Sequence, residues 1–174
     1  MPKKIPAYAY PIIIILSVVI LDQLTKGGLL YLLTGGAPLS GDAWSLVPYP
    51  YIIKQLTSFF NIVFTWNPGA SFSLFRSLGE AAPLIIVILT GVIIGALGYW
   101  IFSKDHARHE KWAYSLIIGG ALGNLIDRIR FGAVIDFLDF YAYGWHWPAF
   151  NVADICICVG VALIIAGLVF KWKK

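Results

Sequence analysis

Apolar residues fall into four long runs: Pro11 to Leu33, Ala81 to Phe102, Trp112 to Ile126 and Phe150 to Trp172. Each approaches the roughly 20 residues a helix needs to cross a bilayer, so the pattern predicts an all-α membrane protein with four transmembrane helices. The second run carries no charge. The third, 112–127 if Asp127 is included, is short, so it either runs on past the aspartate or sits where the bilayer is thin. Between the first two runs, 34–80 is rich in Gly, Pro and aromatics, and a connection of that length usually carries function. Within it, Phe59 to Trp66 has the β-branched and aromatic content of a strand, and Asn67-Pro68-Gly69 reads as a turn. A small extracytoplasmic β-sheet on the outer membrane surface follows, able to take an extended peptide by strand addition. The alternative is a loop that only packs its aromatics at the interface. The last connection, 128–149, is dense in the Trp and Tyr that settle at membrane interfaces, and is expected to be an interfacial segment.

Composition agrees with this setting. The chain is 59% hydrophobic and 13% charged, with a mean hydropathy of +0.79, against roughly 25% charged in soluble domains. Its 174 residues read as a single integral membrane domain, 1–174, with no separate soluble catalytic domain. Pro11 to Leu33 is too long for a signal-peptide core and no small-residue cleavage site follows, so it is expected to remain as an anchor.

Charge sets the orientation, because short cytoplasmic loops carry the excess of Lys and Arg. Lys3, Lys4, Lys104, Arg108, Lys111, Lys171, Lys173 and Lys174 are 8 of the 13 basic residues and share one side of a four-helix arrangement. Both termini are therefore expected inside. The remaining five, Lys26, Lys54, Arg76, Arg128 and Arg130, are interspersed with acids, and the net charge of +4 is accounted for by topology.

Candidate chemistry lies in the strings GGALGNLIDR, AVIDF and FNVAD, which hold Asp127, Asp136 and Asp154 near the ends of apolar segments. A carboxylate at membrane depth is costly and is kept where it pairs or does chemistry. Two of them in a poorly hydrated place share a proton. The ionised one can then activate water, while the protonated one polarises a carbonyl and protonates the leaving amine. Asp127, Asp136 and Asp139 are all possible partners for Asp154. Asp22 and Lys26 stand i, i+4 and can pair on one helix face, either as a self-neutralising pair or as part of a site. Asn124, Asp127 and Arg128 cluster where the third segment leaves the membrane. Arg128 can bind an anionic or carbonyl group bidentately or simply neutralise Asp127. Gly119 and Gly123 have the spacing that lets helices approach closely in lipid.

Cys156 and Cys158 are two apart on a helix, a poor geometry for a disulfide, and read as buried free thiols. His106, His109, Asp105 and Glu110 lack a recognised ligand pattern, so no metal is expected there.

Quoted as they stand, LDQLTK, NPGASFSLF, GGALGNLIDRIRFGAVIDF and PAFNVAD resemble the ordered motifs of the lipoprotein signal peptidases, the type II signal peptidases, which are aspartyl proteases of the bacterial inner membrane. Together these strings span most of the chain. The resemblance implies Asp136 and Asp154 as the catalytic dyad. It implies supporting or substrate-binding roles for Asn67, Gly69, Asn124, Asp127, Arg128 and Asn151, and places Asp22 and Lys26 in the family's first motif. It implies cleavage of diacylglyceryl-modified prolipoproteins on the N-terminal side of the lipidated cysteine, near the outer leaflet, without metal or organic cofactor. The partners it implies are those substrates and membrane lipids, with no nucleic acid, and the protein is expected to be a monomer. Ser71 and the length of the connection before NPGASF depart from the family's usual pattern, which leaves substrate preference open.

Two other functional classes fit the sequence less well. A proton channel or small transporter should place acids along the depth of the bundle, whereas the second run has none and the third and fourth carry theirs at the outer ends. An assembly factor using Gly119 and Gly123 for packing needs no paired acids.

Overall fold

The computed structural model describes residues 8–34, 51–69, 82–103 and 105–172. The expectations for 35–50 and for Ser71 fall outside them. Among the described residues are four helices, α1 (Ala9–Thr34), α2 (Ala82–Ser103), α3 (Arg108–Phe131) and α4 (Val152–Val169). Four strands, β1 (Tyr51–Gln55), β2 (Phe60–Asn67), β3 (Val134–Ala142) and β4 (Trp145–His146), form one antiparallel sheet in sequence order.

Among the described residues three helices are long and apolar enough to cross a membrane, over Ala9–Leu32, Leu84–Ser103 and Val152–Val169. The third helix starts earlier than its apolar run, at Arg108, and takes the first of the two alternatives: it runs on past Asp127 to Phe131 and ends in Gly132, whose φ of 74° is left-handed, so Asp127 and Arg128 lie inside its last turns. It is also less apolar than the others for a physical reason, since it packs against all three. Ser115, Gly119, Gly120, Gly123, Asn124 and Asp127 are buried within the protein and need no lipid-compatible surface.

The glycines set the closeness of those contacts. A side chain at Gly119 would meet Val18 of α1, one at Gly120 would run into the Ala153 carbonyl of α4, and one at Gly123 would meet the Asp22 carboxylate. The sequence reading of a packing stripe thus extends to two neighbouring helices, α1 and α4. Gly120→Val is expected to destabilise the protein by several kcal/mol, because the obstacle is backbone and cannot rotate away. A loss of thermal stability in detergent checks this, and a variant as stable as the parent would contradict it.

The sheet is larger than the strand content of Phe59 to Trp66 suggested, because β3 and β4 come from the segment expected to be merely interfacial. Leu29 of α1, Phe64 and Trp66 of β2, and Ala133, Ile135 and Phe137 around β3 form its apolar core. Three steps along β2 from Ile62 to Thr65 face two along β3 from Leu138 to Asp136. Such a bulge re-aims neighbouring side chains. At the far end the β3–β4 hairpin leaves Tyr143, Trp145 and Trp147 exposed.

α4 starts at Val152 with Asn151 as its N-cap, slightly later than the apolar run suggested. Cys156 and Cys158 are free, but Cys156 is half-buried and Cys158 exposed. The expectation of two buried thiols is therefore corrected: Cys156 is only partly covered and Cys158 is not covered.

Candidate active site

The C-terminal end of α3, the first turn of α4 and strands β2 and β3 converge, and their polar side chains join in one hydrogen-bond network. Asn151, fully buried, is its centre. As the cap of α4, its Oδ1 accepts from the Asp154 backbone N at 2.9 Å, while its own backbone N donates to Asp154 Oδ2 at 3.1 Å. This is a reciprocal capping box. With Oδ1 committed to the helix, Nδ2 must face the other way, where it donates to Asp136 Oδ1 at 2.7 Å and to Asn124 Oδ1 at 3.1 Å. One asparagine therefore positions two carboxylates from different elements.

Each carboxylate has a second amide donor. Asn67 Nδ2 donates to Asp136 Oδ2 at 2.8 Å, and Asn124 Nδ2 donates to Asp154 Oδ1 at 2.8 Å. Gly69 explains the first of these. Its backbone N donates to Asn67 Oδ1 at 2.8 Å, in a turn that holds Gly69 at a φ of 120°, so the amide is oriented with its nitrogen toward Asp136. A side chain at position 69 would be strained in that conformation and would press on Ile86.

The two aspartates differ in surroundings. Asp136 is 1% exposed. Burial pushes its carboxyl up to about 7, the negative charge of Asp154 adds to the rise, and hydrogen bonds from Asn67 and Asn151 oppose it, as does the charge of Lys26. Asp154 sits in the first turn of α4, where the positive end of the helix dipole and a backbone N–H meet its charge.

Behind the pair lies a buried ionic layer. Lys26 Nζ contacts Asp22 Oδ2 at 2.8 Å, Asp127 Oδ2 at 2.9 Å and Asn124 Oδ1 at 3.0 Å. Asp22 and Lys26 are thus not a self-contained pair: the lysine ties α1 to α3 and orients Asn124, whose amide then faces Asp154. Asp22 Oδ1 accepts from the Ala153 backbone N at 3.0 Å, and Asp127 Oδ2 from the Ile135 backbone N at 3.2 Å. Each acid braces one of the elements bearing Asp136 or Asp154.

Among the described residues the ion pair of Asp127 is with Lys26 and not with Arg128. The Arg128 guanidinium donates to the Asn124 carbonyl at 3.4 Å, its Nε is buried without a partner among the described residues, and it is attracted to Asp154, Asp136 and Asp127 together. Asp139 is set apart from all of these: Asn61 Nδ2 donates to it at 2.8 Å and His146 Nδ1 lies 2.9 Å from both its oxygens.

Sequence reasoning missed Gln23, which donates to Asp127 Oδ1 at 2.9 Å and to the Gly123 carbonyl at 3.2 Å. The available signal was a second polar residue beside Asp22 in an apolar helix. Asn61 and His146 carried no comparable signal, since their link to Asp139 depends on strand register. Among the described residues no group of three or more His, Cys, Asp or Glu is placed to hold a metal. His106 contacts Glu110, and His109 lies against Trp172.

Residues 14–170 match the family described as Signal peptidase (SPase) II. The chain belongs to the signal peptidase II family. Among similar proteins of that family, the lipoprotein signal peptidase of Syntrophotalea carbinolica is 35% identical over 98% of this chain and 95% of its own length. That of Aeromonas hydrophila is 45% identical over 69% of this chain and 72% of its own. A bacterial membrane enzyme solved by the in meso method at 2.3 Å aligns with a TM-score of 0.68 at 32% identity, covering 95% of this chain and 93% of that one. Membership of the signal peptidase II family makes this chain a peptidase, and with its apolar helices a bacterial membrane protein.

Proposed function

We propose that this chain is an intramembrane aspartyl endopeptidase. It removes the signal peptide from diacylglyceryl-modified prolipoproteins by cleaving N-terminal to the lipidated cysteine, with Asp136 and Asp154 as its dyad. The observation that carries this reading is the Asn151 side chain, which bonds Asp136 directly and caps the helix turn that bears Asp154. The ionised Asp154 takes a proton from water as the water oxygen attacks the scissile carbonyl. Asp136, protonated, hydrogen-bonds to that carbonyl oxygen as negative charge develops on it, then passes its proton to the leaving nitrogen as the C–N bond breaks and the carbonyl re-forms. Arg128, whose Nε has no partner among the described residues, holds a substrate carbonyl. No metal or cofactor takes part.

In this reading the protein crosses the bacterial inner membrane four times. At 24 residues, α3 is about 36 Å long, enough to span. Both termini are cytoplasmic, the dyad lies near the outer leaflet, and the sheet holds the peptide part of the substrate while the diacylglyceryl group stays in lipid. The enzyme acts as a monomer, needs no nucleic acid, and meets its substrates and membrane lipids only within the bilayer.

The test is cleavage of a diacylglyceryl-modified prolipoprotein by purified protein, beside the unmodified precursor. Cleavage confined to the lipidated form supports the proposal, and folded enzyme that leaves it intact overturns it.

Activity should also depend on pH. Loss of the Asp136 proton, held up to about 7, removes the acid, so kcat/KM is expected to fall as pH rises through that value. The titration belongs to the pair. Stability moves the same way. The folded state keeps a proton between the ordinary carboxylate range and about 7 that the unfolded state has released, so stability declines as pH rises across that window. A flat kcat/KM profile from pH 5.5 to 8.5, roughly the span bracketing that titration, would contradict the assignment.

A further inference from the structure

Two cavities lie at the opposite end of the helices from the aspartates. One, of about 420 Å³, is lined by Tyr10, Pro11, Ile14, His106, Arg108, Lys111 and Trp112. The other, of about 460 Å³, is lined by Arg108, His109, Trp112, Leu163 and Trp172. They share Arg108 and Trp112 and are therefore two lobes of one surface, formed where α1 and α3 begin and α4 ends. Arg108 and Asp127 are 19 positions apart in the sequence, which along α3 is about 28 Å. Nothing in the peptidase mechanism uses this surface.

Its chemistry is one-sided. Among the described residues lining both lobes none is acidic. Arg108 is exposed and has no ion pair among the described residues. The Lys111 contact with Asp105 is long, at 3.7 Å, and that carboxylate is 99% exposed, so it is worth little and is readily displaced. The nearby Glu110 is already engaged, accepting from the Ala107 backbone N at 2.8 Å and facing His106 Nδ1 at 3.4 Å.

We propose that this surface binds an anionic glycerophospholipid of the adjoining leaflet, which is the cytoplasmic one in the topology above. Arg108 takes the phosphate through its guanidinium fork, and Lys111 adds a second positive charge. Trp112 and Tyr10 flank the glycerol at headgroup depth, where such rings settle. Ile14 and Leu163, deeper on α1 and α4, continue the surface toward the acyl chains. A free phosphate would use the cations but not the apolar lining, and the position of the surface at three helix ends puts it in the plane of the headgroups. Basic pockets between membrane helices are suited to such lipids. This inference does not depend on the protease assignment.

The test uses the full-length protein in neutral detergent, titrated with phosphatidylglycerol or phosphatidylcholine bearing brominated acyl chains, with quenching of tryptophan emission as the readout. Phosphatidylglycerol is expected to bind at least about five-fold more tightly, roughly the effect of one cation. That preference should shrink in high salt, disappear in Arg108→Gln/Lys111→Gln and persist in Arg108→Lys/Lys111→Arg. Inorganic phosphate at equal concentration should not compete. Equal binding of the two lipids, or a preference unchanged in the charge-removing variant, overturns the proposal. Competition by inorganic phosphate as effective as the lipid's replaces it with a simple anion site. Should the charge-removing variant fail to fold, the salt dependence and phosphate competition on the parent protein still decide.

Discussion

Asp136→Asn and Asp154→Asn are each expected to lower the cleavage rate by about 10³-fold or more, the range general acid and base groups supply, while the protein stays folded. Neither amide can do its part of the chemistry. Asparagine at 154 is too weak a base to take a proton from water, and asparagine at 136 cannot pass one on to the leaving amine. The substitutions are nearly isosteric but not cost-free. Both Asp136 oxygens accept from asparagine amides, so an NH₂ there faces another donor and costs about 1–3 kcal/mol. Asp139→Asn is the informative control. It makes the same change three residues along β3, where the carboxylate is held by Asn61 and His146 instead, and should leave kcat within several-fold of the parent. Rates on lipidated substrate, with thermal unfolding of each variant, provide the comparison. An Asp154→Asn enzyme retaining a tenth of parental activity would be incompatible with the dyad.

The largest effect on stability is expected at Lys26. Lys26→Met leaves Asp22 and Asp127, 0% and 1% exposed, without their shared cation, and an uncompensated buried charge costs about 3–5 kcal/mol. Because Lys26 also holds Asn124 Oδ1 at 3.0 Å, the amide facing Asp154 loses its orientation, so activity should fall together with stability. The double variant Lys26→Met/Asp127→Asn removes one of the stranded carboxylates and should recover part of the loss, giving a coupling energy in a double-mutant cycle. Lys26→Met as stable as the parent, to within about 1 kcal/mol, would show that the three-way contact carries no net energy. Asp127→Asn alone should act through stability and positioning, since its partners are Lys26, Gln23 and the Ile135 backbone.

The balance between the two effects follows from location. Asp136 and Asp154 stand near the starts of β3 and α4, where the proposed mechanism brings substrate, whereas Asp22, Lys26 and Asp127 stand behind them, sealed between α1, α3 and α4. A change in the first group alters chemistry on an intact scaffold. A change in the second alters the scaffold that sets the spacing of the first.

Sequence alone determined the membrane setting, the positions of the apolar helices and the identity of the polar residues worth attention. Apolar run length and the rarity of charge are local properties, legible without a fold. A charged residue in such a run is conspicuous because its burial is so costly. Tertiary structure decided how those residues are partnered. Whether Lys26 served Asp22 alone or also Asp127 depended on how closely α3 approaches α1, which Gly119 and Gly123 permit. That Asp136 lies beside Asn67 and Asp139 beside Asn61 depended on strand register and a bulge between segments about 70 residues apart, pairings that no local pattern encodes. The extent of α3 was obscured for a related reason. Its polar face is satisfied by neighbouring helices, so its own composition understates how far it runs through the protein.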